Sequence, residues 1–77
     1  SPITTRNIRV TRSAMNGLTV HDLHLSRYDG VNITRIFRAG MTLFPYQHLR
    51  FQIGDVVYCV GPERSIRRLA RQSGEEA

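Results

Sequence analysis

The stretch Val31-Asn32-Ile33-Thr34-Arg35-Ile36-Phe37-Arg38-Ala39-Gly40-Met41-Thr42-Leu43-Phe44 decides the fold. Its first eight residues are rich in strand formers, Ala39-Gly40 reads as a hairpin turn, and Met41 to Phe44 returns as a second, short strand. Strands joined by so short a turn pair antiparallel, because a parallel pair needs a crossover of roughly a dozen residues or more. Ile33 and Ile36 stand at an odd offset, which strict alternation places on opposite faces, so either a bulge lies between them or both faces are partly covered. Pro45 has no amide donor for a ladder and ends the returning strand or marks an edge.

Downstream, Leu49-Arg50-Phe51-Gln52-Ile53 alternates and predicts a strand with Leu49, Phe51 and Ile53 on one side. Gly54-Asp55 bends the chain, with Asp55 bonding to the backbone of its own turn. Val56-Val57-Tyr58-Cys59-Val60 is the apolar run of a central strand covered on both faces. Gly61-Pro62-Glu63 opens a helix, with Pro at its first position, and Ile66, Leu69 and Ala70 line one face until Gly74 stops it. Upstream, Asn7 to Arg12 reads as a strand burying Ile8 and Val10 and showing Arg9 and Thr11 to solvent, ended by an Asn16-Gly17 turn. Thr19 caps a short helix with Asp22 three residues on, Leu18 and Leu23 form a hydrophobic staple, and Asp29-Gly30 stops it.

The order strand, short helix, four strands, C-terminal helix gives an α+β class with a small, mostly antiparallel sheet. A single domain over 1–77 is expected, with an ordered core over about 7–72 and a polar tail over 73–77. The 77 residues hold 11 Arg, no Lys and 6 acidic side chains, for a formal charge of +5. The single Cys excludes an internal disulfide and a Cys-based zinc site. No apolar run approaches the roughly 20 residues of a membrane-spanning helix. The start at Ser1-Pro2 and the polar end read as a piece of a longer chain.

The Gly-Leu-Thr-Val-His-Asp-Leu helix opening (17–23), Gly30-Val31-Asn32-Ile33 leading to Ile36-Phe37-Arg38-Ala39-Gly40, Pro45, Leu49 through Ile53-Gly54-Asp55, and Val56 to Gly61 before a closing helix form an ordered set. From about residue 7 to about residue 72 it resembles the C-terminal regulatory domain of RCK proteins, also called the TrkA C-terminal domain. The middle, Gly30 to Ile36 and Arg38-Ala39-Gly40, is most similar to the copies in aspartate:alanine exchanger-type putative bacterial transporters. The resemblance implies a cytoplasmic domain of a bacterial inner-membrane protein, joined to the membrane portion of the same chain. It also implies a small unit that often dimerises and senses a small anionic ligand or a cation.

His21 and His24, three apart on a helix, are the nearest thing to a metal pair, but His48 is not local and solvated side chains are the simpler reading; no metal or cofactor is expected. Cys59 in its apolar strand reads as a small hydrophobe rather than a nucleophile. Asp29 and Asp55 assemble no paired-carboxylate chemistry, and no Ser-His-Asp set is present, so an enzyme is not expected. Arg35, Arg38 and Arg50 are expected to converge beside Asn32 and His48, offering forked donors to a phosphate or carboxylate. The competing reading has them decorating solvent faces and covering apolar surface with their stems. The resemblance favours Arg38, where the family pattern carries a basic residue.

Arg64, Arg67, Arg68 and Arg71 form a second cluster on the closing helix, suited to lipid or partner contact, with Glu63 and Arg67 an i to i+4 pair. The alternative is a small basic nucleic-acid-binding domain. Against it stand the absence of Lys and Trp, the few aromatics, and the lack of a Gly-rich phosphate loop or helix-turn-helix pattern. A homodimer is expected because the apolar runs at 49–53 and 56–60 exceed what two short helices cover.

Overall fold

The computed structural model describes residues 2–77; Ser1, the first residue of the expected single domain, lies outside them. Five antiparallel strands form one sheet: β1 (Ile3–Val10), β2 (Asn32–Arg38), β3 (Met41–Leu43), β4 (Val56–Pro62) and β5 (Gly74–Glu76), in the spatial order β3-β2-β4-β1-β5. The helices are α1 (Val20–Leu23) and α2 (Glu63–Ser73), with 3-10 turns at Ser13–Met15 and Leu25–Arg27.

Arg38 pairs with Met41 across a two-residue turn in which Ala39 (φ 48°) and Gly40 (φ 80°) both take positive φ, the backbone that matches strand twist in a tight hairpin. A bulge explains the odd offset in β2: its register against β4 shifts between Ile33 and Arg35, so Ile33 and Ile36 both point into the core.

β4 is the central strand, and it alternates. Val57 and Cys59 are buried, whereas Val56, Tyr58 and Val60 are half-buried, so cover is full on one face and partial on the other. On the covered face, Ile66, Leu69 and Ala70 of α2 join Ile8, Val10, Ile33, Ile36, Phe51, Met15, Leu23 and their neighbours in one core. Their 3.6-residue spacing puts the apolar stripe inward and leaves Arg64, Arg67, Arg68 and Arg71 exposed. Pro62 is the N-cap of α2 rather than its first residue. Gly61 fits because it has no side chain: a Cβ there would lie 2.8 Å from the Gly30 carbonyl oxygen and 2.9 Å from the Val31 Cα.

α1 is a single turn, capped by the Thr19 side chain, which accepts from the Asp22 amide at 3.0 Å. It ends at His24 in the left-handed conformation (φ 53°), ahead of Asp29-Gly30. Leu23 is buried in the core and Leu18 packs on it.

Three expectations are corrected. Residues 49–53 are not a sheet strand: they lie across the segment 17–20, with one isolated bridge between Thr19 and Arg50 and bonds Phe51 N–H to Leu18 O (2.9 Å) and Gly17 N–H to Phe51 O (2.7 Å). Phe51 is fully buried while Ile53 is half exposed, so the three apolar residues do not share one buried face. The chain turns at Gly54, whose amide bonds back to Val10 O at 2.8 Å, and this rolls Ile53 outward. The first strand begins at Ile3, not Asn7, and gives way to a 3-10 turn after Val10. The stretch expected as a polar tail forms β5, pairing Gly74, Glu75 and Glu76 with Val10, Arg9 and Ile8.

Candidate functional site

Asp55 closes the turn after Phe51 as expected, its Oδ2 accepting the Gln52 amide at 2.8 Å. The carboxylate is nearly inaccessible, and the end of β2 supplies its counter-charge. Arg38 donates from Nε to Oδ1 (2.8 Å) and from Nη2 to Oδ2 (2.9 Å), and Nη2 also donates to the Arg50 carbonyl at 2.8 Å. The forked geometry satisfies both carboxylate oxygens. The hydrogen bonds to Asp55 push the Arg38 guanidinium above its ordinary value, against the opposing effect of burial.

Arg50 in turn donates from Nη1 to the Gly17 carbonyl at 2.7 Å, stapling the 49–53 segment to the turn before α1. The expected convergence of Arg35, Arg38 and Arg50 is therefore corrected. Arg38 and Arg50 meet, but through bonds that pin the loop over the core. Both of Arg38's bonded nitrogens are committed inside the protein. A single sequence cannot show that an Asp seventeen positions away claims them.

Arg35 sits elsewhere, on the open face of the sheet. Its guanidinium carbon lies 4.2 Å from the centre of the Tyr58 ring, its cross-strand partner. Asn32 is exposed on the same strand opposite Val60, and His48 is exposed in the loop before Leu49. The open face also carries exposed Phe37, opposite half-buried Val56. Around the hairpin, Met41, Phe44 and Tyr46 are exposed as well, with the last two rings 5.0 Å apart. This aromatic surface beside Arg35 is what sequence reasoning missed; the alternation in β4 carries its signal, with Tyr58 out of phase with Val57 and Cys59.

His21 and His24 bring their rings to 5.9 Å, and among the described residues no third metal-binding side chain gathers beside them. Cys59 is fully buried, its thiol 3.4 Å from the Arg6 carbonyl, and burial pushes it up to about 11, the state of a structural rather than a reactive cysteine. On α2, Arg67 pairs with Glu63 at 2.7 Å, as the spacing predicts, while Arg68 lies over the Tyr28 ring at 5.5 Å.

The fold is that of RCK C domains. An RCK domain solved "with cda" superposes with a TM-score of 0.82 over 91% of this chain and 97% of that one, at 13% identity. The RCK C domain of the potassium transport protein KtrA, solved in complex with cyclic diadenosine monophosphate, gives 0.80 over 91% and 82%, at 21% identity. In sequence, the chain is 39% identical over 75 residues to an uncharacterized transporter of Bacteroides thetaiotaomicron, covering 97% of this chain and 14% of that protein. It is 36% identical over 74 residues to one from Porphyromonas gingivalis, covering 96% and 13%, and 30% identical over 74 to a putative transport protein of Glaesserella parasuis, covering 96% and 13%. The chain thus spans a small part of these relatives. No family model matches it. Among the described residues no helix is long and apolar enough to cross a membrane.

Proposed function

We propose that the chain is a ligand-sensing regulatory domain of a bacterial membrane transporter for cations or amino acids, placed on the cytoplasmic side and not itself catalytic. One observation carries this reading: an RCK C fold coincides with alignment of nearly the whole chain to a short segment of transporter sequences. The wording of residues 30–40, similar to aspartate:alanine exchanger-type transporters, supports an amino-acid carrier.

The ligand is a small anion, in line with the cyclic dinucleotide held by the KtrA domain. Arg35, stacked on Tyr58, supplies the cation and the aromatic face, and Asn32 on the same strand supplies a further polar contact, while Arg38, Arg50 and His48 belong to the segment fastened over the covered face. A second copy of the chain covers the open face, since Phe37, Met41, Phe44 and Tyr46 form an apolar border unusual for a free surface.

A thermal-shift screen with cyclic dinucleotides, mononucleotides, amino acids and divalent cations tests the proposal. A ligand at a hundred times its Kd stabilises the folded state by about 2.7 kcal/mol, about 10–20 °C in Tm for a domain of this size. No shift with any of them leaves a module that only assembles transporter subunits. Sedimentation that finds a monomer at high concentration removes the dimer.

A further inference from the structure

The outward face of α2 is almost entirely arginine. Arg64, Arg67, Arg68 and Arg71 are all exposed, and with Gln72 they make up its solvent side after Glu63. Placed three and four apart, they are like-charge neighbours, an arrangement unfavourable to the helix itself. Only Arg71, in the last turn, gains from the helix dipole. Glu63 is shared between Arg67 and Arg6. Arg64, Arg68 and Arg71 join no salt bridge among the described residues. Arg68 reaches the Arg27 carbonyl at 3.3 Å, bringing Arg27, also exposed, beside the stripe. Arg67 on Glu63 and Arg68 over Tyr28 offset only part of this repulsion, so the fold keeps more positive charge on one helix face than its own carboxylates neutralise.

We propose that this face docks on an anionic phospholipid surface. The inference rests on the transporter reading, which puts the domain beside a membrane. The shape favours a surface over a free anion. The row runs along a convex helix for about 10 Å from Arg64 to Arg71 at the helical rise. The shallow pocket beside it, lined by Asp29, Arg64, Ser65 and Arg68, sets one carboxylate between two of the cations, so it offers a single free anion less net charge than the whole row offers a surface. α2 also covers the sheet face opposite Tyr58 and Arg35, so lipid contact leaves the ligand face open. No large apolar side chain lies on the stripe, so binding is electrostatic and weakens as salt rises.

Co-sedimentation of the 77-residue chain with vesicles tests this, comparing phosphatidylcholine alone with a 3:1 phosphatidylcholine:phosphatidylglycerol mixture. The expected result is binding only to the mixed vesicles, lost at high salt. Each Arg near the surface contributes about fivefold, so Arg64→Gln/Arg68→Gln/Arg71→Gln together weaken binding about 100-fold. The control Arg9→Gln, exposed on β1 opposite Val56 and so on the sheet face away from α2, keeps most of it. Equal binding to both vesicle types, equal loss in the control, or tight binding of a DNA oligonucleotide with none to vesicles overturns the proposal. Thermal shift of the α2 variant by a small ligand reads the regulatory function separately, so either reading can fail without the other.

Discussion

Arg38 and Asp55 close a two-pronged ion pair in which the carboxylate is 1% exposed and the guanidinium side chain 24%. The pair joins the end of β2 to the turn that leads into β4, so two neighbouring strands of the sheet are locked through side chains as well as through their ladder. Removing one partner leaves a buried charge without compensation, which costs far more than the pair contributes.

Arg38→Ala is therefore expected to lower stability by about 3 kcal/mol, the low end of the range for buried pairs because the guanidinium keeps some access to water. Urea unfolding measures this. Arg38→Met/Asp55→Asn recovers part of the loss. A change below about 1 kcal/mol in the single variant would show that the pair is not the fastening of the loop.

Arg35→Ala gives the opposite profile. Its contact with Tyr58 is exposed and worth about 0.5–1 kcal/mol, so the fold persists with a small fall in Tm. Titration with whichever anion stabilises the parent chain should show at least about tenfold weaker binding, from the loss of one charge-assisted contact. Unchanged affinity would move the ligand away from the open face.

Ala39 occupies the left-handed region without being glycine. Ala39→Asn produces the Asn-Gly turn favoured in two-residue hairpins and is expected to raise stability by about 0.5–1 kcal/mol. Gly61→Ala, which drives a Cβ against the Gly30 and Val31 backbone, is expected to cost more than Gly40→Ala, where the added Cβ meets open space and only φ is unfavourable. Paired denaturation curves order the three variants.

The Cys59 thiol is held neutral in the fold up to about 11, against an ordinary value of 9.0. Burial raises its pKa, so between those values the unfolded chain loses its proton while the folded one keeps it. Stability consequently falls as pH rises from about 9 toward 11. Cys59→Ala flattens that slope. In the parent, a disulfide reagent at pH 8 should modify the thiol only as fast as the protein opens.

Local signals were legible in the sequence. The odd offset between Ile33 and Ile36 signals a bulge or two covered faces, Ala39-Gly40 the hairpin, Thr19 the cap, and the spacing of Ile66, Leu69 and Ala70 the buried side of α2. Relations across the chain were not. Leu49 to Ile53 has the alternation of a strand, yet the bonds of Gly17 and Leu18 to Phe51 decide its pairing, and no local pattern encodes those. Gly74-Glu75-Glu76 holds no strand former and pairs only because the end of α2 delivers it beside Val10. The fate of Arg38 is hidden for the same reason: residue type shows what it can bind, and only the tertiary fold shows that Asp55 already holds it.

The strand order β3-β2-β4-β1-β5 also bears on how the chain folds. Only the β2-β3 hairpin joins neighbours close in sequence. β1 finds its place beside β4 through pairs such as Ile8 with Val57 and Ile3 with Pro62, closing a loop of roughly fifty residues whose entropy is lost before any of its contacts form. The hairpin can form early, in microseconds, but the β1-β5 side of the sheet is not built until the two ends of the chain come together. Closure of β1 on β4, on which β5 then depends, is thus the step expected to limit the rate of folding.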